Sequence, residues 1–212
     1  MNKYKKIGMV LAMKEEAQPI IEGLKLEQVK SIRGAYKVFT AKNVVLVLAG
    51  IGIVNATMAT QYLITEQNCD FILNFGTCGA TGKLFNACDI VSVKRVFKRD
   101  VDLTIAGYNK YEIPGNGIEI DLEADENFKS CDCYSSDEFV GVNSIVSTDV
   151  IVEMEAYPVA FVCKKYEIPC KIYKVVSDFT ETNETNSEHI KNLEKASKTM
   201  AEYIIKLVKQ LI

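Results

Sequence analysis

The sequence has little cationic fork chemistry and almost no imidazole. Its 212 residues hold three arginines, Arg33, Arg95 and Arg99, and one histidine, His189. It has no internal repeat, no Pro/Gly/Ser-rich linker, and no glycine run with the spacing of a P-loop or a dinucleotide fingerprint. Nucleotide-cofactor chemistry is therefore not expected, and no cofactor is assigned. Cys131-Asp132-Cys133 has the wrong spacing for a zinc knuckle and His189 is far from it, so no metal site is expected. Positive charge is not in excess: Lys+Arg 25 against Asp+Glu 28 gives a net charge of -3. A nucleic-acid binder normally shows a basic face, so that partner is not expected. No apolar run approaches the roughly 20 residues of a membrane helix. Met1 to Lys6 is basic and Ile7 to Met13 apolar, but Lys14-Glu15-Glu16 ends the run and no small-residue cleavage site follows. A signal peptide is not expected.

What is present is an ordinary globular composition, 48% hydrophobic and 25% charged. A chain of this length buries roughly 70% of its unfolded surface and needs no staples. One domain over residues 1–212 is expected. Seven cysteines, an odd number and mostly in apolar stretches, read as reduced thiols and point to the cytoplasm.

Short apolar runs alternate with amphipathic ones. Ile7 to Ala12 is continuously apolar, as in a strand buried on both faces. Ala17, Ile20, Ile21 and Leu24 recur at helical spacing over Lys14 to Leu24. Further strands are expected over Ala35 to Thr40, Val44 to Ala49, Phe71 to Phe75, Ile90 to Phe97, Phe139 to Val146 and Cys170 to Val176. Helices are expected over Val54 to Thr65, Glu155 to Tyr166 and Glu188 to Leu211. This order predicts an α/β fold of three layers, α/β/α, around a central mixed sheet. The stretch Asp100 to Glu138 is polar and weakly periodic, and reads as a long surface excursion or an oligomer interface.

Ligands in open α/β sheets bind beyond the carboxyl ends of the strands. Four such ends carry polar or glycine-rich residues: Ala12-Met13-Lys14-Glu15-Glu16, Gly50-Ile51-Gly52, Gly76-Thr77-Cys78-Gly79 and Ser177-Asp178. Glu16 shares the inward helix face with Met13 and Ile20. It reads either as an acidic first-turn residue on the helix dipole or as a pocket carboxylate. Glu153 and Glu155 flank Met154 at an apparent helix start, with the same dipole alternative. Asp178 follows an apolar strand and reads as a turn or N-cap residue or as an acid. Several carboxylates at several strand ends suit acid/base work on a small molecule without identifying it.

The ordered segments IGMVLAMKEEA (7–17), LAGIGIVNA (48–56), LNFGTCGA (73–80), DLTIAGYNKYEIPG (102–115), VEMEA (152–156) and VVSD (175–178) resemble the nucleoside phosphorylase/nucleosidase superfamily. AMKEEA resembles the branch that hydrolyses 5′-methylthioadenosine and S-adenosylhomocysteine. The resemblance implies a nucleoside phosphorylase-like fold, a nucleoside substrate with water as co-substrate, a role in methionine salvage and a homodimer. Hydrolysis would pass through an oxocarbenium-like state served by paired carboxyls. By position, Asp178 resembles the acid that protonates the purine at N7, with Ser177 in support. Glu16 resembles the base that positions water, Thr77 a small hydroxyl residue beside it, and Glu155 the ligand of the ribose hydroxyls. Met154 would pack on the ribose, beside Glu153, while Met13 and Ile51 would line the pocket. Tyr108 resembles a residue that reaches the partner subunit's 5′-substituent pocket.

The sequence departs from the pattern at three places. Lys174 stands where the nucleosidases have an arginine near the water, keeping the charge without the planar fork. Ser147-Thr148-Asp149-Val150-Ile151 runs straight into Val152-Glu153. Most of a purine-covering loop is therefore expected to be missing, with Val150 and Ile151 offering backbone groups to the base. Ala106 replaces an aromatic residue. Two alternatives stay open: a phosphate-dependent phosphorylase using Arg33, and a non-catalytic nucleoside-binding relative. The phosphorylases need forked arginine contacts to phosphate, and Asn74 stands where one such arginine would be.

Overall fold

The computed structural model of the protein describes residues 3–30, 36–138, 147–180 and 186–211, with the side chains of the last segment from 193 onward. Arg33 and the strand expected over 139–146 lie outside the described residues.

The chain opens with strand β1 (Ile7–Leu11) and helix α1 (Lys14–Leu24). Strands β2 (Glu27–Lys30), β3 (Lys37–Ala41) and β4 (Val44–Leu48) follow, then helix α2 (Ile53–Thr65). Next come β5 (Phe71–Ala80), β6 (Ile90–Lys98), β7 (Glu119–Asp121), β8 (Lys129–Ser135) and β9 (Ile151–Glu153). Helix α3 (Ala156–Tyr166), β10 (Cys170–Phe179) and helix α4 (Asn186–Leu211) complete it.

The strands form one mixed sheet in the order β10-β6-β8-β9-β5-β1-β4-β3-β2, with β7 on β6. Strand β5 also pairs with β10, so β5, β10, β6, β8 and β9 close into a ring. Strands β4, β1, β5 and β10 run parallel. Their carboxyl ends therefore meet on one side.

The apolar run of β1 divides between two layers, because successive side chains point to opposite faces. Ile7, Met9 and Leu11 pack with Ala17 and Ile20 of α1 and with Met200 and Ile204 of α4. Val10 packs with Ala56, Ala59 and Leu63 of α2 and with Val159 and Ala160 of α3. Full burial of each large aliphatic side chain contributes about 1.5–3 kcal/mol. This is the three-layer α/β/α arrangement around a mixed sheet.

Three stretches differ from the sequence reading. The excursion over 100–138 contains β7 and β8, and β8 lies inside the sheet between β6 and β9. Its sequence KSCDCYS looks polar, but Cys131, Cys133 and Ser135 are buried and Asp132 is paired with Arg95 at 2.7 Å. The segment Ile151–Glu153 is a strand, and α3 begins only at Ala156. Strand β5 does not end at Phe75 but continues through the glycines to Ala80. Its register with β10 runs on past a bulge at Val176/Asp178, so Ser177 and Asp178 are strand residues and not a turn.

Candidate active site

At the carboxyl ends of β1, β4, β5 and β10 lies a cavity of about 280 Å³. Glu16, Glu155 and Asp178 line it, with Met13, Ile51, Thr77, Glu153, Met154 and Ser177. Five segments distant in sequence thus supply these residues.

Glu16 is placed by the junction of β1 and α1. Its side chain reaches back to accept from the Met13 N–H through Oε2 (3.1 Å), which ties the first turn to the strand end. Oε1 accepts from both the N–H (2.8 Å) and the hydroxyl (3.0 Å) of Thr77 on β5. Gly76 makes this approach possible: a Cβ there would lie 3.2 Å from Glu16 Oε1 and 3.5 Å from Lys174 Nζ. Burial pushes the Glu16 carboxyl above its ordinary value; the Thr77 hydrogen bonds and the Lys174 charge pull back against that.

Glu153 and Glu155 sit two residues apart and differ in partners. Glu153 Oε2 accepts from the N–H groups of Glu155 and Ala156, each at 2.8 Å, and forms an ion pair with Lys174 Nζ at 2.7 Å. Its Oε1 accepts from the Ser135 hydroxyl. Burial would raise this carboxyl, but the Lys174 charge and these donors outweigh burial and hold it below its ordinary value. Ser135 Oγ in turn accepts from the Tyr157 N–H at 2.8 Å. Glu153 and Ser135 together satisfy three N–H groups at the start of α3.

Glu155 has one such tie. Its Oε1 accepts from the Gly52 N–H at 2.9 Å, at the start of α2. Its Oε2 meets no donor among the described residues. Burial first, then the like charge of Glu153, pushes it up to about 7. Gly52 has φ +105°, and a Cβ there would lie 2.7 Å from Asp137 Oδ1, so glycine is needed on both counts. Asp137 accepts from the neighbouring Ile53 N–H at 2.7 Å.

Lys174 is fully buried in β10. Desolvation disfavours its charge, but Glu153 and Glu155 more than offset this and raise its pKa. Asp178 is half-buried and lines the cavity. Its Oδ1 accepts from the Ser177 hydroxyl at 2.6 Å, and Oδ2 stands over Gly79, 3.1 Å from where a Cβ would be.

Not every expected residue is gathered here. Ile151 is buried in β9, paired with Ala80 and Cys133. Val150 packs with Phe97 and Tyr134, and its N–H and C=O are taken by Thr81. Neither lines the cavity, and the backbone groups of Val150 are not available to a base. Tyr108 is exposed beside the short 3-10 turn Thr104–Ala106, away from the cavity.

A strand leading to the cavity is β8, which ends at Ser135 and runs into Ser136-Asp137. The register pairs Ser135 with Glu153 and fixes this strand end. Between β8 and β9, residues 139–146, Phe139 among them, lie outside the described residues. Glu138 lines the cavity and is held by Arg99 at 2.6 Å. The sequence reading missed Ser135 and Glu138 because it placed no strand before them.

Three carboxyl groups lining one cavity at the strand ends define an enzyme of nucleoside phosphorylase-like architecture. The sequence matches the phosphorylase superfamily over residues 6–138 and 133–209, and the chain belongs to that superfamily. Within it, the chain is similar to the 5′-methylthioadenosine/S-adenosylhomocysteine nucleosidase of Buchnera aphidicola subsp. Acyrthosiphon pisum (strain Tuc7). The identity is 31% over 231 positions, covering 98% of this chain and 99% of that one. Two solved structures from Helicobacter pylori are also similar. One is a mutant of its nucleosidase with 5′-methylthioadenosine in the active site: TM-score 0.86, 25% identity, covering 98% of this chain and 99% of that one. The other is its futalosine hydrolase: TM-score 0.87, 26% identity, covering 98% of each chain.

Proposed function

We propose that this protein hydrolyses the N-glycosidic bond of adenine nucleosides of the 5′-methylthioadenosine/S-adenosylhomocysteine type, giving adenine and the 5-substituted ribose. The observation that carries hydrolysis is the setting of Glu16. The Met13 N–H, the Thr77 N–H and the Thr77 hydroxyl all converge on its carboxylate, with the Lys174 charge behind. These are the donors an inorganic phosphate would require, and an internal carboxylate already holds them. A dianion brought against it would meet like charge in a site that screens poorly. A neutral water meets no such barrier and finds a base.

The roles follow from position. Glu16 takes a proton from water as the oxygen attacks the anomeric carbon. Asp178 donates to the departing purine through Oδ2, while Ser177 holds Oδ1. Glu155 accepts from the ribose hydroxyls through Oε2, a bond that strengthens as positive charge builds on the sugar. Met13, Ile51, Thr77 and Met154 shape the walls. Assembly of all three carboxylates in one cavity favours catalysis over a binding-only role.

The protein acts as a homodimer in the cytoplasm, in methionine salvage. Support for the dimer is exposed apolar side chains, one of which, Ile51, lines the cavity. Ile51, Val54 and Met58 share one face at the start of α2, and Ile105 and Tyr108 project from the 100–118 segment. A partner covering Ile51 would reach the cavity. Support for the compartment is seven unpaired cysteines.

The test is adenine release from 5′-methylthioadenosine with and without phosphate, followed by chromatography, with futalosine run in parallel. Phosphate-independent adenine release is expected. Release only with phosphate would overturn hydrolysis and bring Arg33 into the site. Turnover of futalosine alone would overturn the substrate class.

A further inference from the structure

We propose that Ser135 and Glu153 are positioning residues, a buried strut that fixes where the ribose-binding Glu155 stands. This rests on the nucleosidase reading above and assigns two residues that need not touch substrate.

The geometry is a chain of contacts across three elements. The Ser135 hydroxyl, fully buried at the end of β8, donates to Glu153 Oε1 and accepts from the Tyr157 N–H at 2.8 Å. Glu153 Oε2 accepts from the N–H groups of Glu155 and Ala156 at 2.8 Å each. The backbone of Glu155 is thus clamped from β9 and the first turn of α3 from β8. Among the described residues, the hydrogen-bond tie on the Glu155 carboxylate is the Gly52 N–H. Buried hydrogen bonds to a charged group are among the stronger ones, and removing one partner leaves the other unsatisfied. Without Ser135, Glu153 Oε1 and the Tyr157 N–H both lose their partner.

The same strut sets the charge balance. The charged groups facing Glu155 are Glu153 from β9, Lys174 from β10 and Glu16 from α1, with the Gly52 N–H from the start of α2. Glu153 is the strongest of the charged groups and opposes ionisation of Glu155; Lys174 favours it. Ribose hydroxyls donate to an ionised Glu155, so its titration sets an acid limb in kcat/KM.

The experiment compares Ser135→Ala and Glu153→Gln with wild type on 5′-methylthioadenosine and on its 2′,3′-dideoxy counterpart. For Ser135→Ala, kcat/KM on the ribonucleoside is expected to fall about tenfold, and on the dideoxy compound less than about twofold, because the hydroxyls read by Glu155 are gone. Equal losses on both substrates, or none, would overturn the positioning role. In Glu153→Gln the acid limb is expected to move to lower pH, since the opposing charge is gone; a limb that stays in place overturns the electrostatic part. If Glu153→Gln does not fold, Ser135→Ala decides the matter alone. Absence of adenine release by wild type would overturn the nucleosidase reading and this inference with it. Release by wild type with equal losses in the variant would overturn the strut alone.

Discussion

The floor and the walls of the cavity are built from the same residue types and do opposite things. On the floor, Glu153 and Lys174 are both buried, their charges face each other at 2.7 Å, and Glu153 has three further hydrogen-bond donors. On the walls, Glu16, Glu155 and Asp178 keep their carboxyl groups at the cavity surface. The consequence shows in Glu153 and Glu155, two residues apart. Glu153 is held below the ordinary carboxylate range, while Glu155 is driven up to about 7. Partners, and not burial alone, separate a structural charge from a reactive one.

The largest expected effect comes from a wall. Asp178→Asn keeps the shape of the side chain but cannot deliver a proton to the purine. Loss of a general acid costs typically 10²–10⁴-fold. Adenine release should therefore fall about 10³-fold while nucleoside binding, measured by calorimetry, persists. Retained turnover would remove Asp178 from the acid role and leave the comparison without its most reactive member.

The next effect comes from the floor and acts on stability. Lys174→Met leaves Glu153 buried without its cation. Breaking a buried pair in this way costs about 3–5 kcal/mol. At about 2–4 °C per kcal/mol for a chain of this size, the melting temperature should fall by roughly 10 °C. The double variant Lys174→Met/Glu153→Gln, with no net charge left over, should recover part of that loss. A single variant as stable as wild type would mean that the floor tolerates an unpaired carboxylate and differs less from the walls than the geometry says.

The walls were more legible in the sequence than the floor. Glu16 could be placed because α1 follows a continuous apolar strand with regular helical spacing, and the expected helix, Lys14 to Leu24, is the one observed. Asp178 follows a similar run, although the bulge that carries it within β10 left no mark in the sequence. The floor depends on β8 and β9. In β8 buried thiols and a buried hydroxyl stand where valines usually announce a strand, and β9 has only three residues before an acidic helix start. Its Glu153 imitates a first-turn residue, and only the Ser135–Glu153 register reveals the partner. Long-range pairing between short segments has no local signature, so the structure was needed for it.

The smallest effect to argue is the one that turns a wall into a floor. Glu155 is raised from 4.5 to about 7 on folding, so between those values the folded state binds more protons than the unfolded state. Stability therefore falls as pH rises through that window, by up to ~3 kcal/mol once Glu155 is ionised. Glu155→Gln removes this penalty. The amide keeps an oxygen to accept from the Gly52 N–H, and no charge remains to be desolvated. The variant should melt roughly 5–10 °C higher than wild type at pH 8 and close to wild type at pH 5, by calorimetric scans at both values. It should also lose activity at pH 8, because a neutral amide gives less stabilisation to the positive sugar. An equal change in melting temperature at both pH values would trace the effect to packing. A variant that is less stable at pH 8 would show that Lys174 needs the second carboxylate, and that Glu155 already belongs to the floor.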